Sequence, residues 1–503
     1  MTVTDSRPVT SATSAAPARR TGRWIDDWRP EEPEFWETTG RRVARRNLVW
    51  SIFAEHLGFS VWLIWSVSSA FLVSMGFSYS PQQLFLLIAL PNLVGSLLRL
   101  PYTFAVPKFG GRNWTMASAA LLLIPTLGFA VAVQNPDTPF WLFCLIAATA
   151  GLGGGNFASS MANINFFYPA AKKGAALGLN AAGGNLGVAL IQLFLPVIVG
   201  GAGIFGMVQA SDGGIHLERA AYVYAALAVV ATLAAYLCMD NLTSAQSKPR
   251  EQLAVVRERQ TWVMAFLYIG TFGSFIGYSA AMPLLIKLNF WVPEPAPLGT
   301  GIYFAYFAFL GALVGSATRP FGGWLADKYG GARVTLGAFA GMIVATLAVL
   351  WTLTQLTPNP TQSPAIADDN QSWFPWFLAF FLCIFAATGI GNGSTYKMIP
   401  AIFRTQAERA TTAGTPERAA ALHAGTKKSS AAIGVIGAVG AVGGFLIPIA
   451  FSSPWVEQPM EATKGAFVIF TGFYVVCAVV TWAVFLRKPA PAKAATSLAN
   501  AGI

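Results

Sequence analysis

The strongest constraint on this chain is a succession of about twelve apolar runs, each near or above the roughly 20 residues a helix needs to cross a bilayer. They fall near 48–76, 83–107, 114–133, 140–168, 174–200 and 219–239, and then near 261–288, 299–326, 333–355, 373–402, 428–451 and 464–486. In hydrocarbon every backbone polar group must be satisfied internally, so continuous runs of this length are helices. Only 11% of the residues are charged and 54% are hydrophobic, whereas a soluble domain carries roughly 25% charged residues. The chain therefore reads as an all-α membrane protein. Its net charge of +11 could suggest a nucleic-acid partner. The Lys and Arg residues lie instead in short segments between apolar runs, on alternate sides, so they set orientation and no nucleic acid is expected.

The connections that follow even-numbered runs carry Lys108 and Arg112, Lys172 and Lys173, Lys248 to Arg259, Lys328 and Arg333, and Arg404 to Lys428. The opposite side carries few cations, with Asp137, Asp212, Asp368 and Asp369 among its charges. The positive-inside rule then puts both termini in the cytoplasm and the chain in the cytoplasmic membrane. Residues 1–46, polar and basic with Trp24, Trp28 and Trp36, read as a disordered cytoplasmic tail without the apolar core of a signal peptide. Residues 47–239 form one six-helix bundle, 240–260 a cytoplasmic linker, 261–487 a second bundle and 488–503 a second tail. Cys144 and Cys383 lie 239 positions apart, as do Cys238 and Cys477 and the segments Ala147-Ala148-Thr149 and Ala386-Ala387-Thr388. Such echoes mark parallel repeats in the same orientation, the arrangement of major facilitator transporters. The cysteines lack metal-ligand spacing and read as small apolar filler.

Two arginines interrupt this pattern at matching places. Arg99 ends Leu97-Leu98-Arg99 and Gly110-Gly111 follows; Arg319 ends Ala317-Thr318-Arg319 and Gly330-Gly331 follows at the same spacing. Three helical turns separate each from its glycine pair, about 16–18 Å, which puts both near the midplane. An intramembrane charge is costly and points to function, and a guanidinium offers a fork of donors suited to flat oxyanions. The bland reading is an arginine paired with a buried carboxylate, for which Glu55 is the candidate. Between residues 60 and 240 the only acids, Asp137, Asp212, Glu218 and Asp240, lie near span ends.

Glycine-rich stretches occur in the fourth and tenth runs, Gly151 to Asn163 and Gly389 to Met398, and in the fifth and eleventh. Close helix packing is their commoner meaning, and room for a small ligand or for sliding the other. No Gly-Lys-Ser/Thr ending follows, so they are not nucleotide loops.

The segments Gly155-Asn156-Phe157-Ala158-Ser159-Ser160-Met161-Ala162-Asn163 and Gly391-Asn392-Gly393-Ser394-Thr395 resemble the two signatures of the nitrate/nitrite porter family of the major facilitator superfamily. The resemblance runs over nearly all of residues 48–486. It implies twelve helices in two pseudo-symmetric halves and a nitrate or nitrite anion clamped by Arg99 and Arg319. It also implies polar contacts from Asn185 and Tyr268, with Phe157 and Phe272 sandwiching the flat ligand. Gly323-Trp-Leu-Ala-Asp327-Lys-Tyr-Gly330-Gly-Ala-Arg333 is similar to the superfamily's loop motif, whereas Pro107-Lys-Phe-Gly-Gly-Arg112 lacks the acid.

An anion entering against the membrane potential costs about 2.3 kcal/mol per 100 mV. Either another anion leaves or protons enter. Glu55-His56 in the first run, with Lys397 in the tenth as a third buried cation, form the candidate proton path. The Glu-His pair resembles that of the proton-symporting type, so nitrate/proton symport is the expectation and nitrate/nitrite antiport the alternative. A transporter of another small oxyanion is the nearest competitor. No nucleophile–base or metal constellation is present, so neither an enzyme nor a cofactor is expected. The protein is expected to act as a monomer in the lipid bilayer.

Overall fold

A computed structural model describes residues 19–20, 23–246, 254–292, 299–358, 363–412, 415–453, 456, 458–487, 498 and 503. Most of the tail expected at 488–503 and the linker residues Lys248 and Arg250 lie outside them. The first half holds spans at Arg41–Trp62 with Ile64–Leu72, Pro81–Phe109, Gly111–Leu121 with Leu123–Ala132, Phe140–Gly154 with Asn156–Phe167, Ala170–Ile198 and Leu217–Cys238. The second half holds Arg259–Tyr268 with Ser274–Phe290, Ala308–Tyr329, Gly331–Thr354, Phe374–Arg409, Pro416–Ala441 with Gly443–Ser452, and Pro459–Thr481. Eleven of these spans are long and apolar enough to cross a membrane. The remaining one, Ala308–Tyr329, falls short because it carries Arg319 with Ser316, Thr318, Asp327 and Lys328. It also starts later than expected, after a two-stranded hairpin pairing Trp291–Val292 with Thr300–Gly301.

The repeat is visible in the backbone. The second and eighth spans both end at a glycine of positive φ, Gly110 at 86° and Gly330 at 89°. Each N–H closes the last helical turn, onto Val106 at 2.9 Å and Ala326 at 3.0 Å. With ψ near 151° and 136°, these positions suit a residue without Cβ.

Several spans are interrupted midway. The first breaks at Leu63, the fourth at Gly155 and the eleventh at Val442, and the seventh holds a π-turn over Ile269–Gly273. Such wide turns often accompany functional sites, because they free carbonyls and re-aim side chains. Glycines let the helices meet at these breaks. A methyl on Gly153 would lie 2.1 Å from the Gly58 carbonyl, and one on Gly273 would lie 2.6 Å from that of Gly440. Close packing is therefore one role of the glycine-rich stretches.

Residues 23–46, expected as part of a disordered tail, form a folded strap. Trp24–Ile25 pairs with Asn241–Leu242. The fully buried Asp240 takes an ion pair from Arg23 at 3.2 Å, another from Arg46, and a hydrogen bond from Asn47 at 3.0 Å. Ile25, Trp28 and Trp36 bury against Ile164 and Phe167 in a small cluster of their own. The tryptophans supply enough apolar area to order a segment whose composition alone is too polar to fold.

Candidate functional site

Arg99 is fully buried and Arg319 is 7% exposed. Arg99 donates from Nε to the Gly154 carbonyl at 3.1 Å and from Nη1 to the Gly437 carbonyl at 3.0 Å. The break at Gly155 makes the first possible, because the Ala158 N–H turns to Gly155 at 3.1 Å and leaves the Gly154 oxygen for the guanidinium. Gly437 faces the guanidinium, and a methyl there would stand 3.9 Å from Nη1, an ordinary contact. One half of the protein thus holds the arginine and both halves anchor it. Its Nη2 has no partner, nor does Nη1 of Arg319.

Neither guanidinium is paired with a carboxylate among the described residues. Glu55, the candidate partner, instead accepts hydrogen bonds from the Ser160 hydroxyl and from the Asn180 amide at 2.6 Å. Its second oxygen, Oε1, is unpaired. Glu55 therefore stands within electrostatic reach of both guanidiniums without pairing with either, and a desolvated cation is costly until an opposite charge meets it.

The aromatic residues gather at the same place. The Phe157 and Phe272 rings stack with centroids 6.0 Å apart and planes 25° apart. Tyr268 stacks on Phe272 at 5.3 Å. The Arg99 guanidinium lies 4.9 Å from the Phe157 centroid and 4.8 Å from that of Phe272, while Arg319 lies 5.8 Å from Phe157. Phe157 is therefore shared by both cations, and each such contact contributes about 0.5–2 kcal/mol toward holding a desolvated guanidinium. The Tyr268 hydroxyl sits within electrostatic reach of both arginines and within loose hydrogen-bonding reach of Arg319.

The structure thus brings together Arg99, Arg319, Phe157, Phe272 and Tyr268. Asn185 is buried in the fifth span with both amide atoms unpaired, and it does not line the cavity described next. The signature glycines stand at close contacts and the signature asparagines are buried. Methyl groups on Gly155, Gly391 and Gly393 would lie 2.8 Å from the Tyr102 ring, 2.7 Å from Thr271 and 2.1 Å from the Arg319 carbonyl. Asn156 is buried beside Gly58 and Asn163 beside Gly111, and Asn392 is buried as well.

Two of the residues assigned to a proton path lie elsewhere. Lys397 is not a buried cation. Its side chain is 47% exposed and pairs with Asp327 at 2.7 Å, because its face of the tenth span turns outward at the end of the eighth. His56 is half-buried and ties its ring Nδ1 to the Gly183 carbonyl at 3.1 Å, joining the first and fifth spans. Adjacent helical residues point about 100° apart, so Glu55 and His56 serve different neighbours.

Sequence reasoning missed Trp62 and Tyr396. Trp62 wedges between Pro91 and Gly154 and lies 5.3 Å from the Arg99 guanidinium. Tyr396 lies 5.5 Å from Arg319, lines the cavity and leaves its hydroxyl unpaired. Its place directly after Thr395 in the second signature was the available signal. A cavity of about 600 Å³ runs from Arg99, Phe157 and Tyr396 to the N-terminal side, where Glu31, Lys173 and Lys428 line its mouth.

Comparison with known proteins places these features in context. Residues 56–448 match the Major Facilitator Superfamily. The chain is 41% identical over 472 residues to the nitrate/nitrite transporter NarU of Escherichia coli (strain K12), covering 92% of this chain and 96% of that one. It is 35% identical over 482 residues to a protein of Thermus thermophilus named "Probable nitrate/nitrite antiporter NarK2", covering 93% of this chain and 98% of that one. Among solved structures, a D-xylose-proton symporter superposes with a TM-score of 0.55 at 15% identity, over 87% of this chain and 96% of the other.

Proposed function

The chain belongs to the nitrate/nitrite porter family of the major facilitator superfamily, and we propose that it carries nitrate, and nitrite with it, across the cytoplasmic membrane by alternating access. One observation carries this reading: two buried guanidiniums, one from each half, each keep an unpaired nitrogen beside a stacked aromatic pair. A planar anion presents oxygens to the guanidinium nitrogens and flat faces to the rings. A tetrahedral phosphate ester offers no such faces. Until cargo arrives the two positive charges repel across the gap between halves, and a bound anion lets the halves close around it. The loop charges support an orientation with both termini cytoplasmic, so that the open cavity faces the cell interior.

For the driving force, nitrate/proton symport is the reading we carry forward, with Glu55 as the proton-carrying group. It is supported by the full burial of that carboxyl, its unpaired oxygen and its place within electrostatic reach of both arginines without an ion-pair contact among the described residues. His56 and Lys397 are not part of that path. Nitrate/nitrite exchange is the second reading, favoured because two uncompensated arginines need no titratable group to cycle.

Flux in proteoliposomes separates them. Under symport, an inward proton gradient drives nitrate uptake with no anion inside, and excess phosphate does not compete. Uptake that requires trapped nitrite rejects symport in favour of exchange. Failure of both nitrate and nitrite to move rejects the anion assignment.

A further inference from the structure

On the side opposite the N terminus the two halves are joined by a small set of polar contacts. The Ser66 hydroxyl donates to the Ala280 carbonyl at 2.8 Å, and Gln192 donates to the Ser279 carbonyl at 2.6 Å. The last of them is a cation. Lys287, 6% exposed near the end of the seventh span, donates from Nζ to the Ala70 carbonyl in the first span at 2.5 Å. Its ammonium also lies 5.4 Å from the Trp291 ring centroid.

Among the described residues no carboxylate pairs with Lys287, and its hydrogen bond goes to Ala70. Its partner is a backbone oxygen in the last turn of the helix Ile64–Leu72, where carbonyls lack intrahelical donors and the helix dipole is negative. A lysine is thus held across the seam between halves by groups that, among the described residues, carry no formal charge. When the halves part on this side, Ala70 and Lys287 separate, because they belong to different halves. The ammonium then loses its hydrogen bond and turns into the newly opened path.

We propose that Lys287 is a reception site for the incoming oxyanion, masked by the Ala70 carbonyl while the N-terminal side is open and exposed when the opposite side opens. This rests on the anion-transport reading above and adds a second station to it. Lys287 stands fifteen residues beyond Phe272, about 22 Å along the helix. Across a water-filled path that separation exceeds two Debye lengths, roughly 8 Å each at physiological salt. Lys287 therefore acts on entry rather than on binding between the arginines. A cation exposed at an entrance raises the local anion concentration, an effect that salt suppresses.

The test uses the full chain in proteoliposomes sorted by orientation, with nitrate applied to one face at a time. Lys287→Met keeps length and apolar packing without charge, and Lys287→Arg keeps the charge. At low salt we expect Lys287→Met to raise KM for nitrate about 3–10-fold on the face opposite the N terminus. KM on the other face stays unchanged, the difference vanishes at high salt, and Lys287→Arg behaves as wild type. Unchanged KM on both faces overturns the proposal. So do opposite shifts on the two faces that ignore salt, which describe a latch and nothing more. If Lys287→Met fails to insert, Lys287→Gln gives the same comparison. Wild-type flux is the control: if wild type moves neither anion, the transport reading fails, and if it does, only the role of Lys287 is at stake.

Discussion

At the scale of single residues, Arg99 spends two of its nitrogens on backbone carbonyls and leaves Nη2 unpaired, the nitrogen proposed to meet the anion. Lysine has one nitrogen on a flexible stem and cannot reach both the Gly154 and Gly437 carbonyls while facing an anion. Arg99→Lys is therefore expected to lower nitrate flux about 100-fold, since charge-assisted hydrogen bonds contribute about 1.5–3 kcal/mol each. Near-normal affinity in that variant counts against a clamp. Glu55→Gln preserves the volume and can still bond Ser160 and Asn180. Under symport it abolishes accumulation driven by a proton gradient while leaving anion exchange intact, and loss of exchange as well assigns Glu55 to architecture instead. Both arginines were legible in the sequence because a charge in an apolar run has few innocent explanations. Trp62 and Tyr396 were not, because an aromatic residue in a hydrophobic helix has many.

At the scale of elements, the glycine stretches decide how close the spans come. A methyl on Gly393 would meet the Arg319 carbonyl at 2.1 Å, whereas methyls on Gly465 and Gly472 of the twelfth span would meet nothing within 4 Å. Gly393→Ala sets backbone against backbone, which no rotamer change relieves. It is expected to cost about 1–3 kcal/mol, visible as a lower Tm and reduced flux. Gly472→Ala is expected to leave both unchanged or to stabilise by up to about 1 kcal/mol through helix propensity. Equal behaviour of the two variants contradicts a packing role for the signature glycine. The N-terminal strap makes a second case. Asp240→Asn leaves Arg23 and Arg46, which are 27% and 36% exposed, without their shared carboxylate. Solvent screens part of that loss, so about 1–3 kcal/mol is expected, read as faster proteolysis within residues 23–46. The polar composition of that segment hid its fold, because its order depends on a carboxylate some 200 positions away.

At the scale of the whole molecule, the aromatic pair measures the state of the site. With centroids 6.0 Å apart, the Phe157 and Phe272 rings leave less than the roughly 7 Å that two contacts of about 3.5 Å require. Phe157 belongs to the first half and Phe272 to the second, so a bound planar anion is expected to widen the pair to about 7 Å in a nitrate-loaded structure. A loaded structure with the rings still at 6.0 Å rules out the sandwich. The amino-acid sequence by itself determined the membrane, the two matched halves and the paired arginines, because hydrophobic run length, a charge in an apolar run and a glycine turn are local signals with one physical reading each. The tertiary structure alone decided that Glu55 turns to Ser160 and Asn180, that Lys397 faces outward to Asp327, and that backbone carbonyls hold Arg99. Each depends on which face of a helix meets which neighbour, and an almost uniformly apolar helix carries too weak a pattern to specify its facing.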